Sequence, residues 1–344
     1  MGETSKTIQG GSGEEVWGER DARGEWKPDS LPVPSPLFTW PWRPVKILKY
    51  LFAPVGLLWP YNLIVALLAV GSWLWFTPSL DRTVTFAPGW IAEIYLRNAV
   101  LLLVIAGGLH LRLYVMKGQG TKFKYTDKWM ARDDARFLFR NQTWDNIFWN
   151  FVSGCTIWTA WEAVTLWLYA NKLIPYVSIQ EHPVYFVLMM LFVLFARQVH
   201  FYFVHRLSHW KPLYDISHYL HHKNINIGPW SGMAMHPVEH LLYLSGVVIN
   251  WIIPSHPIHA IYHLMHAGVT PALGHTGFHK FAGKGKSERG MSADNYFHYL
   301  HNRRFTVNFG VEVVPLDKWF GSFYDGSPEA DAALAAKRGN PKLP

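Results

Sequence analysis

Residues 50–80 contain no charged side chain, and this restricts the chain more than any other feature of its sequence. Pro60 divides the run, and the piece from 61 to 78 nearly reaches the length of about 20 residues that a helix needs to cross a bilayer. Because lipid offers no hydrogen bonds to the backbone, such a segment must be helical. The sequence therefore predicts a membrane-spanning helix here.

Further apolar segments predict three more spans, at about 91–115, 147–170 and 183–204. Only 16% of the residues are charged, against about 25% in an average soluble domain. A last charge-free stretch, 240–279, is broken by three prolines and predicts a shorter, partly inserted helical hairpin. We therefore expect an all-α, polytopic membrane protein with about four transmembrane spans.

The two ends of the chain are polar and lack apolar periodicity. Residues 1–44 have no apolar core that could fold alone, and we expect a disordered tail that is not a signal peptide. Residues 326–344 are expected to be a second polar tail. The membrane-embedded domain would then cover residues 45–325.

The distribution of Lys and Arg predicts the orientation of the chain. The loop after the second span is strongly basic, whereas the loops after the first and third spans are not. Its basic residues are Lys117, Lys122, Lys124, Lys128, Arg132, Arg136 and Arg140. Basic loops face the cytoplasm, so His205, after the fourth span, should emerge on the cytoplasmic side of a bacterial inner membrane or the endoplasmic reticulum.

Apart from Glu93, Arg97 and Arg112 near the ends of the second span, two charged residues lie inside predicted spans, Glu162 in the third and Arg197 in the fourth. Charges in hydrocarbon are costly and usually pair or face a cavity. Each could form a structural ion pair or mark a misplaced span boundary, and each could instead serve a substrate channel.

Histidine is the most unusual residue of the chain. Of 18 histidines, 15 lie between positions 205 and 301, while Cys155 is the single cysteine, so a cysteine-based metal site is excluded. Most of the clustered histidines fall into four histidine boxes. Box 1 is His205-x-x-x-His209, box 2 is His218-x-x-His221-His222, box 3 is His275-x-x-x-His279 and box 4 is His298-x-x-His301.

The spacing within the boxes suits metal binding. Residues three or four apart share one face of a helix, so two imidazoles can bind one metal ion. In box 2 the adjacent His222 points about 100° away from His221, which lets one helix supply two metals. A single pair of this kind arises easily by chance, whereas boxes 1 and 2, only nine residues apart, form a specific pattern.

Several segments resemble the fatty acid hydroxylase / sterol desaturase superfamily, a family of membrane histidine-box di-iron oxidoreductases. They are 202–209 (YFVHRLSH), 218–223 (HYLHHK), 232–239 (GMAMHPVE, a His-Pro-x-Glu element), 308–310 (NFG) and 319–321 (WFG). The resemblance covers roughly residues 150–325. With the orientation predicted from Lys and Arg, we expect a cytoplasmic-facing helical cap that carries the boxes.

The resemblance also implies the site residues, and these would carry both the metals and the catalysis. The implied metal ligands are His205, His209, His218, His221, His222, His275, His279, His298 and His301. Asn302 stands where the family pattern has a further histidine and could hold a metal through a water, or leave one site under-filled. His236 and Glu239 would support the ligands from behind. Two iron ions, with zinc possible as isolated, and O2 as co-substrate are implied.

Attack on an unactivated C–H bond needs metal–oxygen chemistry and two electrons from outside the chain. The sequence carries no dinucleotide fingerprint and no haem-binding His-Pro-Gly-Gly element, so an external donor is expected, either cytochrome b5 or a ferredoxin with its reductase. The formal charge of +8 would attract an acidic donor and anionic headgroups, or would only set the topology. No nucleic-acid partner is expected.

The substrate should be a lipid that enters from the membrane. The His-Pro-x-Glu element slightly favours a sterol-like lipid, while fatty acyl, sphingolipid and ether-lipid substrates stay open. A histidine-rich metal transporter is an alternative from another class, although no acidic residues alternate with the boxes. A catalytically inactive, lipid-binding member of the family is the third hypothesis, and Asn302 keeps it open.

Overall fold

A computed structural model describes residues 20–28, 35–53, 56–283, 290–293, 295–311 and 313–339. The described chain is mostly helical, as expected. One small antiparallel sheet pairs β1 (Lys280–Phe281) with β2 (Met291–Ser292) beside the third histidine box. Short 3-10 helices lie at Pro36–Phe38, Leu80–Thr83, Leu138–Arg140, Pro229–Met233 and Ser245–Val248.

The helices follow one another with short connections. The first five are α1 (Pro44–Phe52), α2 (Tyr61–Phe76), α3 (Pro88–Val115, with π-helical stretches Leu103–Gly107 and Leu111–Val115), α4 (142–170, with a π-helical stretch Asn150–Cys155) and α5 (Pro183–Ser208). The remaining ones are α6 (211–222), α7 (Pro237–Leu244), α8 (Ile249–Ile252), α9 (Pro257–Gly274), α10 (Tyr296–Arg304), α11 (Leu316–Trp319) and α12 (Pro328–Gly339).

Two helices of the described chain, α3 and α5, are long and apolar enough to cross a membrane. They coincide with the predicted second and fourth spans. The predicted first span forms the shorter apolar helix α2, and the predicted third span lies within α4. The four-span arrangement and the cytoplasmic position of the boxes remain predictions.

Helix α9 lies at the centre of the molecule and packs against α2, α4 and α5. It belongs to the predicted hairpin 240–279, which consists of α7, α8 and α9. Its apolar and small residues are buried on all sides, and they form the main core with Val193 of α5 and Trp158 of α4. Gly268 permits the close approach of α9 to Trp158, because a Cβ there would lie 2.4 Å from the indole ring. A rigid central helix therefore ends directly at box 3.

Both predicted tails contain described residues that pack on the domain. Residues 1–19 and 29–34 of the predicted N-terminal tail lie outside the described residues. Trp26, however, is buried against Phe123 and the ring of His279. At the other end, α12 is tied to Arg304 through Asp331, and residues 340–344 are not described. The domain boundaries at 45 and 325 remain predictions.

The two charged residues inside the predicted spans differ in their surroundings. Glu162 of α4 forms a buried ion pair with Arg97 of α3, so the structural alternative holds for Glu162. Arg197 of α5 forms no ion pair with a described carboxylate and lines a cavity instead.

Candidate metal centre

Box 1 lies at the end of α5, where the helix leaves the apolar core. His205 is buried in the last turn, and its Nδ1–H donates to the carbonyl oxygen of Phe309 at 2.6 Å. That carbonyl is held in place because Asp317 accepts hydrogen bonds from the amides of Phe309 and Gly310, both at 2.8 Å. The late 308–310 segment thus fixes the orientation of a box 1 imidazole.

Five histidines from three boxes meet in one place, which we call group A. Its members are His205, His209, His218, His222 and His301. One ligand nitrogen of each lies within 4.8 Å of the others. The Nε2 atom of His209 lies 3.0 Å from Nε2 of His218 and 3.1 Å from Nε2 of His222.

Three further histidines form a second cluster, group B, which consists of His221, His275 and His298. The Nε2 atom of His275 lies 3.4 Å from Nε2 of His221 and 3.1 Å from Nε2 of His298. The two groups are adjacent because box 2 serves both. His221 and His222 are consecutive on α6, and their rings are 5.5 Å apart at 83° to each other. Box 4 is likewise shared, since His298 joins group B and His301 joins group A.

The hydrogen bonds made by Nδ1 atoms show what the clustered nitrogens can do. The Nδ1–H groups of His301 and His275 donate to the carbonyls of Val307 and Pro271, at 2.6 and 2.9 Å. The Nδ1–H of His218 donates to the carboxylate of Glu239 at 2.7 Å. A neutral imidazole has only one N–H, so the Nε2 atom of each of these rings carries a lone pair.

Lone pairs that face one another at such distances repel, and a cation between them removes the conflict. Ligands about 2.1 Å from a metal are separated by about 3.0 Å at right angles and by about 3.4 Å in a tetrahedron. The observed Nε2 separations, 3.0–3.4 Å, span this range. Groups A and B therefore fit one metal ion each.

Burial keeps these imidazoles neutral. Loss of hydration lowers the pKa of His218 and His298 to about 3 each, and that of His209 to about 2. Metal binding needs unprotonated imidazole. The rings are therefore ready to bind a cation near neutral pH without first losing a proton.

The structure places two of the predicted ligands differently from the other eight. His279 is in neither group; its Nδ1 faces the Tyr125 hydroxyl at 3.3 Å, and its ring lies beside Trp26. Asn302 is buried on α10 and donates from Nδ2 to the carbonyl of His298 at 3.1 Å. Its Oδ1 is buried and has no hydrogen-bond partner among the described residues.

The predicted supporting residues also differ from each other. Glu239 contacts a group A ring directly through His218. His236 instead caps α7, where its Nδ1 accepts a hydrogen bond from the amide of Val238 at 3.3 Å. The adjacent His240 is fully buried, and its Nδ1 lies 2.8 Å from the Ser153 hydroxyl.

Several supporting groups were not found from the sequence. They include Asp317 and the carbonyls of Val307, Phe309 and Pro271. The 308–310 segment is recognisable as a motif. The role of its carbonyls cannot be predicted, because every residue type has a backbone carbonyl. Only the carbonyl of Pro271 had a sequence signal, which is the presence of a proline in the last turn of α9.

A cavity of about 140 Å³ lies beside both groups. It is lined by imidazoles of both, including His205 and His275, and by apolar side chains such as Phe201 and Met235. Arg197 also lines it. An apolar substrate lodged here would contact both sets of imidazoles.

The helical fold and the two histidine groups define a membrane-associated metalloprotein class. Residues 189–322 match the fatty acid hydroxylase family. The chain is 30% identical over 154 residues to the Delta(7)-sterol 5(6)-desaturase ERG3B of Gibberella zeae. The aligned region covers 41% of this chain and 46% of the relative. The chain thus spans just under half the length of that relative. No solved structure matches significantly.

These two matches confirm the predicted relationship. Over its histidine-bearing part, the chain is similar to the fatty acid hydroxylase family and to a sterol desaturase. All four boxes and the 308–310 segment fall inside the matched residues 189–322.

Proposed function

We propose that the protein is a membrane-bound, O2-dependent di-iron oxidoreductase that hydroxylates or desaturates a C–H bond of a lipid. One observation carries this proposal: eight imidazoles converge in two adjacent groups beside a single, largely apolar cavity. Similarity to the fatty acid hydroxylase family and to a sterol desaturase supports lipid oxidation in general.

Two iron ions, with zinc possible as isolated, would supply the activation of dioxygen that attack on a C–H bond requires. Side chains of the protein would supply the ligands for these ions. Five imidazoles of group A and three of group B present neutral nitrogens. The carbonyls of Phe309 and Val307 and the carboxylate of Glu239 fix which nitrogen faces inward. Such partners orient the ligands and raise their basicity.

The substrate is proposed to be a lipid, with a sterol-like lipid slightly favoured. Support comes from the name of the similar sterol desaturase and from the apolar cavity wall. Whether one hydrogen is replaced by hydroxyl or two hydrogens are removed depends on how the wall places the substrate carbon.

The electrons are proposed to come from cytochrome b5, or from a ferredoxin with its reductase, on the cytoplasmic side. The basic segment 117–140 supports this proposal because it lies directly against box 3. The amide of Tyr125 donates to the carbonyl of Gly277, and that of His279 donates to Phe123. An acidic donor attracted to this segment would approach the boxes.

The test is metal analysis and oxygen uptake by the purified protein in lipid nanodiscs. We expect two iron ions per chain and oxygen consumption that requires both a reduced donor and added lipid, with an oxidised lipid identified by mass spectrometry. His301→Ala should abolish uptake, whereas His182→Ala, an exposed histidine before α5, should not. Metal flux across liposomes without lipid oxidation would contradict the proposal and favour a transporter.

A further inference from the structure

Arg197 is a cation inside a helix that is long enough to span the membrane, and it shares a cavity with the histidine groups. It lies eight residues before His205, which is about 12 Å along the axis of α5. Phe201, Val204 and Ser208 continue the same helical stripe along the cavity wall. The cavity therefore connects the metal centre with a buried guanidinium.

No described residue of the protein neutralises this guanidinium. No ion pair joins Arg197 to any carboxylate among the described residues, and its Nε is buried without a hydrogen-bond partner. Arg97, a buried arginine of the other long apolar helix, α3, is instead paired with Glu162. An unpaired cation in a membrane-spanning helix is costly, and such residues usually mark a functional site.

The groups around Arg197 do not provide an anion. Tyr243 and Tyr262 are the ionisable residues close to the guanidinium, and Tyr243 forms a side-chain hydrogen bond with it. The Tyr243 hydroxyl donates to the carbonyl of Ala267 at 2.9 Å and is neutral. His200 and His263 are close by, and neither carries negative charge.

Among the described residues that line the cavity, Glu239 is the one carboxylate, and it is already used. Oε1 of Glu239 accepts the Nδ1–H of His218, and the carboxylate forms no ion pair with Arg197. Among the described residues, the cavity therefore offers a positive charge with no matching carboxylate, about two helical turns along α5 from His205.

We propose that Arg197 binds an anionic oxygen group of the lipid substrate, a carboxylate or a phosphate, with the Tyr243 hydroxyl beside it. This inference rests on the proposed function and deepens it, since it makes the substrate an acidic lipid whether its body is acyl or sterol-like. The anion lies at one end of the cavity, and the carbon to be oxidised lies at the histidine end. Guanidinium forms paired hydrogen bonds with both anions, so both chemistries fit.

The experiment compares matched lipids that differ only in the head group. Radiolabelled palmitic acid is bound to the protein in zwitterionic nanodiscs and displaced by unlabelled palmitic acid, hexadecyl phosphate, hexadecanol or methyl palmitate. A steroid carboxylic acid and its methyl ester form a second pair. We expect the wild type to bind an acid at least tenfold more tightly than its ester. The ratio of acid to phosphate identifies which anion is preferred.

Three variants assign the preference to Arg197. Arg197→Gln should abolish the acid-over-ester preference and Arg197→Lys should keep part of it. Arg136→Gln, which removes an exposed arginine from the basic segment, should leave it unchanged. Equal binding of acid and ester by the wild type, or an unchanged preference in Arg197→Gln, overturns the proposal. If Arg197→Gln does not fold, the wild-type ratio and the lysine variant still decide.

The same preparations separate this inference from the proposed function. Iron content and lipid-dependent oxygen uptake test the histidine centre. Neither result depends on whether the protein prefers an acidic lipid to its ester. Two irons and oxygen uptake with equal acid and ester binding would refute the Arg197 proposal alone. An acid preference without oxygen uptake would support the anion site and contradict the oxidoreductase.

Discussion

The Nδ1 atom of His218 lies 2.7 Å from Oε1 of Glu239, and both side chains are buried. This contact joins box 2 to the His-Pro-x-Glu element, and the two residues are 21 positions apart in sequence. Since the imidazole donates through Nδ1, its Nε2 is left to face group A. The glutamate thus sets the tautomer of a metal-facing ring.

Replacement of Glu239 should therefore weaken metal binding. Glu239→Ala leaves Nδ1 of His218 without an acceptor, and such losses typically lower metal affinity or activity by about 10–100-fold. Glu239→Gln keeps a carbonyl oxygen that can accept the same hydrogen bond, so it should lose less. Iron per chain and oxygen uptake measure the effect. Glu181→Gln, in an exposed loop, is the matched control. Equal loss in the alanine and glutamine variants would show that tautomer control is not the role of Glu239.

Family resemblance implies that His301 and His279 are both metal ligands, but only His301 lies in a histidine group. Replacing each in turn tests the observed grouping against the resemblance. His301→Ala should reduce iron to about one ion per chain, because it removes one of five group A nitrogens within reach of a single metal. His279→Ala should retain nearly two ions, because His279 lies outside both groups and beside Tyr125. Elemental analysis of both purified variants makes the comparison. An equal loss in the two variants would establish His279 as a ligand and contradict the geometric grouping.

The helices that hold the site were predictable because membrane spans depend on local composition. A charge-free run identified α2, apolar runs with few charges identified α3 and α5, and the three prolines identified the broken hairpin that contains α9. Box 2 also behaved as its helical period predicts, since His221 and His222 face different groups. These features depend on residues close together in sequence.

The remaining features depend on contacts between distant segments. His279 follows His275 by four residues, yet α9 ends at His275, so the two do not share a helical face. The carbonyls that orient His205 and His301 become available only when residues 305–310 fold back over α5 and α10. Trp26 lies in a polar segment, and its packing beside His279 has no local signal. Neither the grouping nor its support could be deduced from spacing alone.

Lys124 should make the stability of the protein depend on pH. It is fully buried, and its Nζ donates to the carbonyls of Thr126 and Lys128. Burial lowers the pKa of Lys124 to about 7. An unfolded lysine keeps its proton to about pH 10.4. Between these values the unfolded state binds more protons, so the free energy of unfolding rises with pH, by at most about 1.4 kcal/mol per pH unit.

Thermal unfolding in detergent between pH 6.5 and 9.5 checks this expectation. The wild type should gain stability relative to Lys124→Met as the pH rises, because the variant has no proton to lose. Lys128→Met, an exposed lysine of the same segment, should remain parallel to the wild type. Curves for wild type and Lys124→Met that stay parallel would show that Lys124 does not change its protonation on folding in this range.

The ion pair between Arg97 and Glu162 should be structural and sensitive to loss of one partner. The side chains are only 6% and 1% exposed, and Arg97 also donates to Thr77 and Asn98. Glu162→Gln leaves a buried guanidinium without its carboxylate, which should cost about 3–5 kcal/mol of the free energy of unfolding. The double variant Arg97→Met/Glu162→Leu removes both charges and should recover much of that loss.

The pair between Arg82 and Glu93 provides the matched control, since its side chains are about half exposed. Exposed pairs contribute little to stability, so Glu93→Gln should change the free energy of unfolding little. Chemical denaturation in detergent compares the four proteins. If Glu162→Gln loses no more free energy of unfolding than Glu93→Gln, water reaches the Arg97–Glu162 pair. The region between α3 and α4 is then more hydrated than its burial implies. A large loss in Glu162→Gln that the double variant repairs identifies the unpaired guanidinium, rather than altered packing, as the cause.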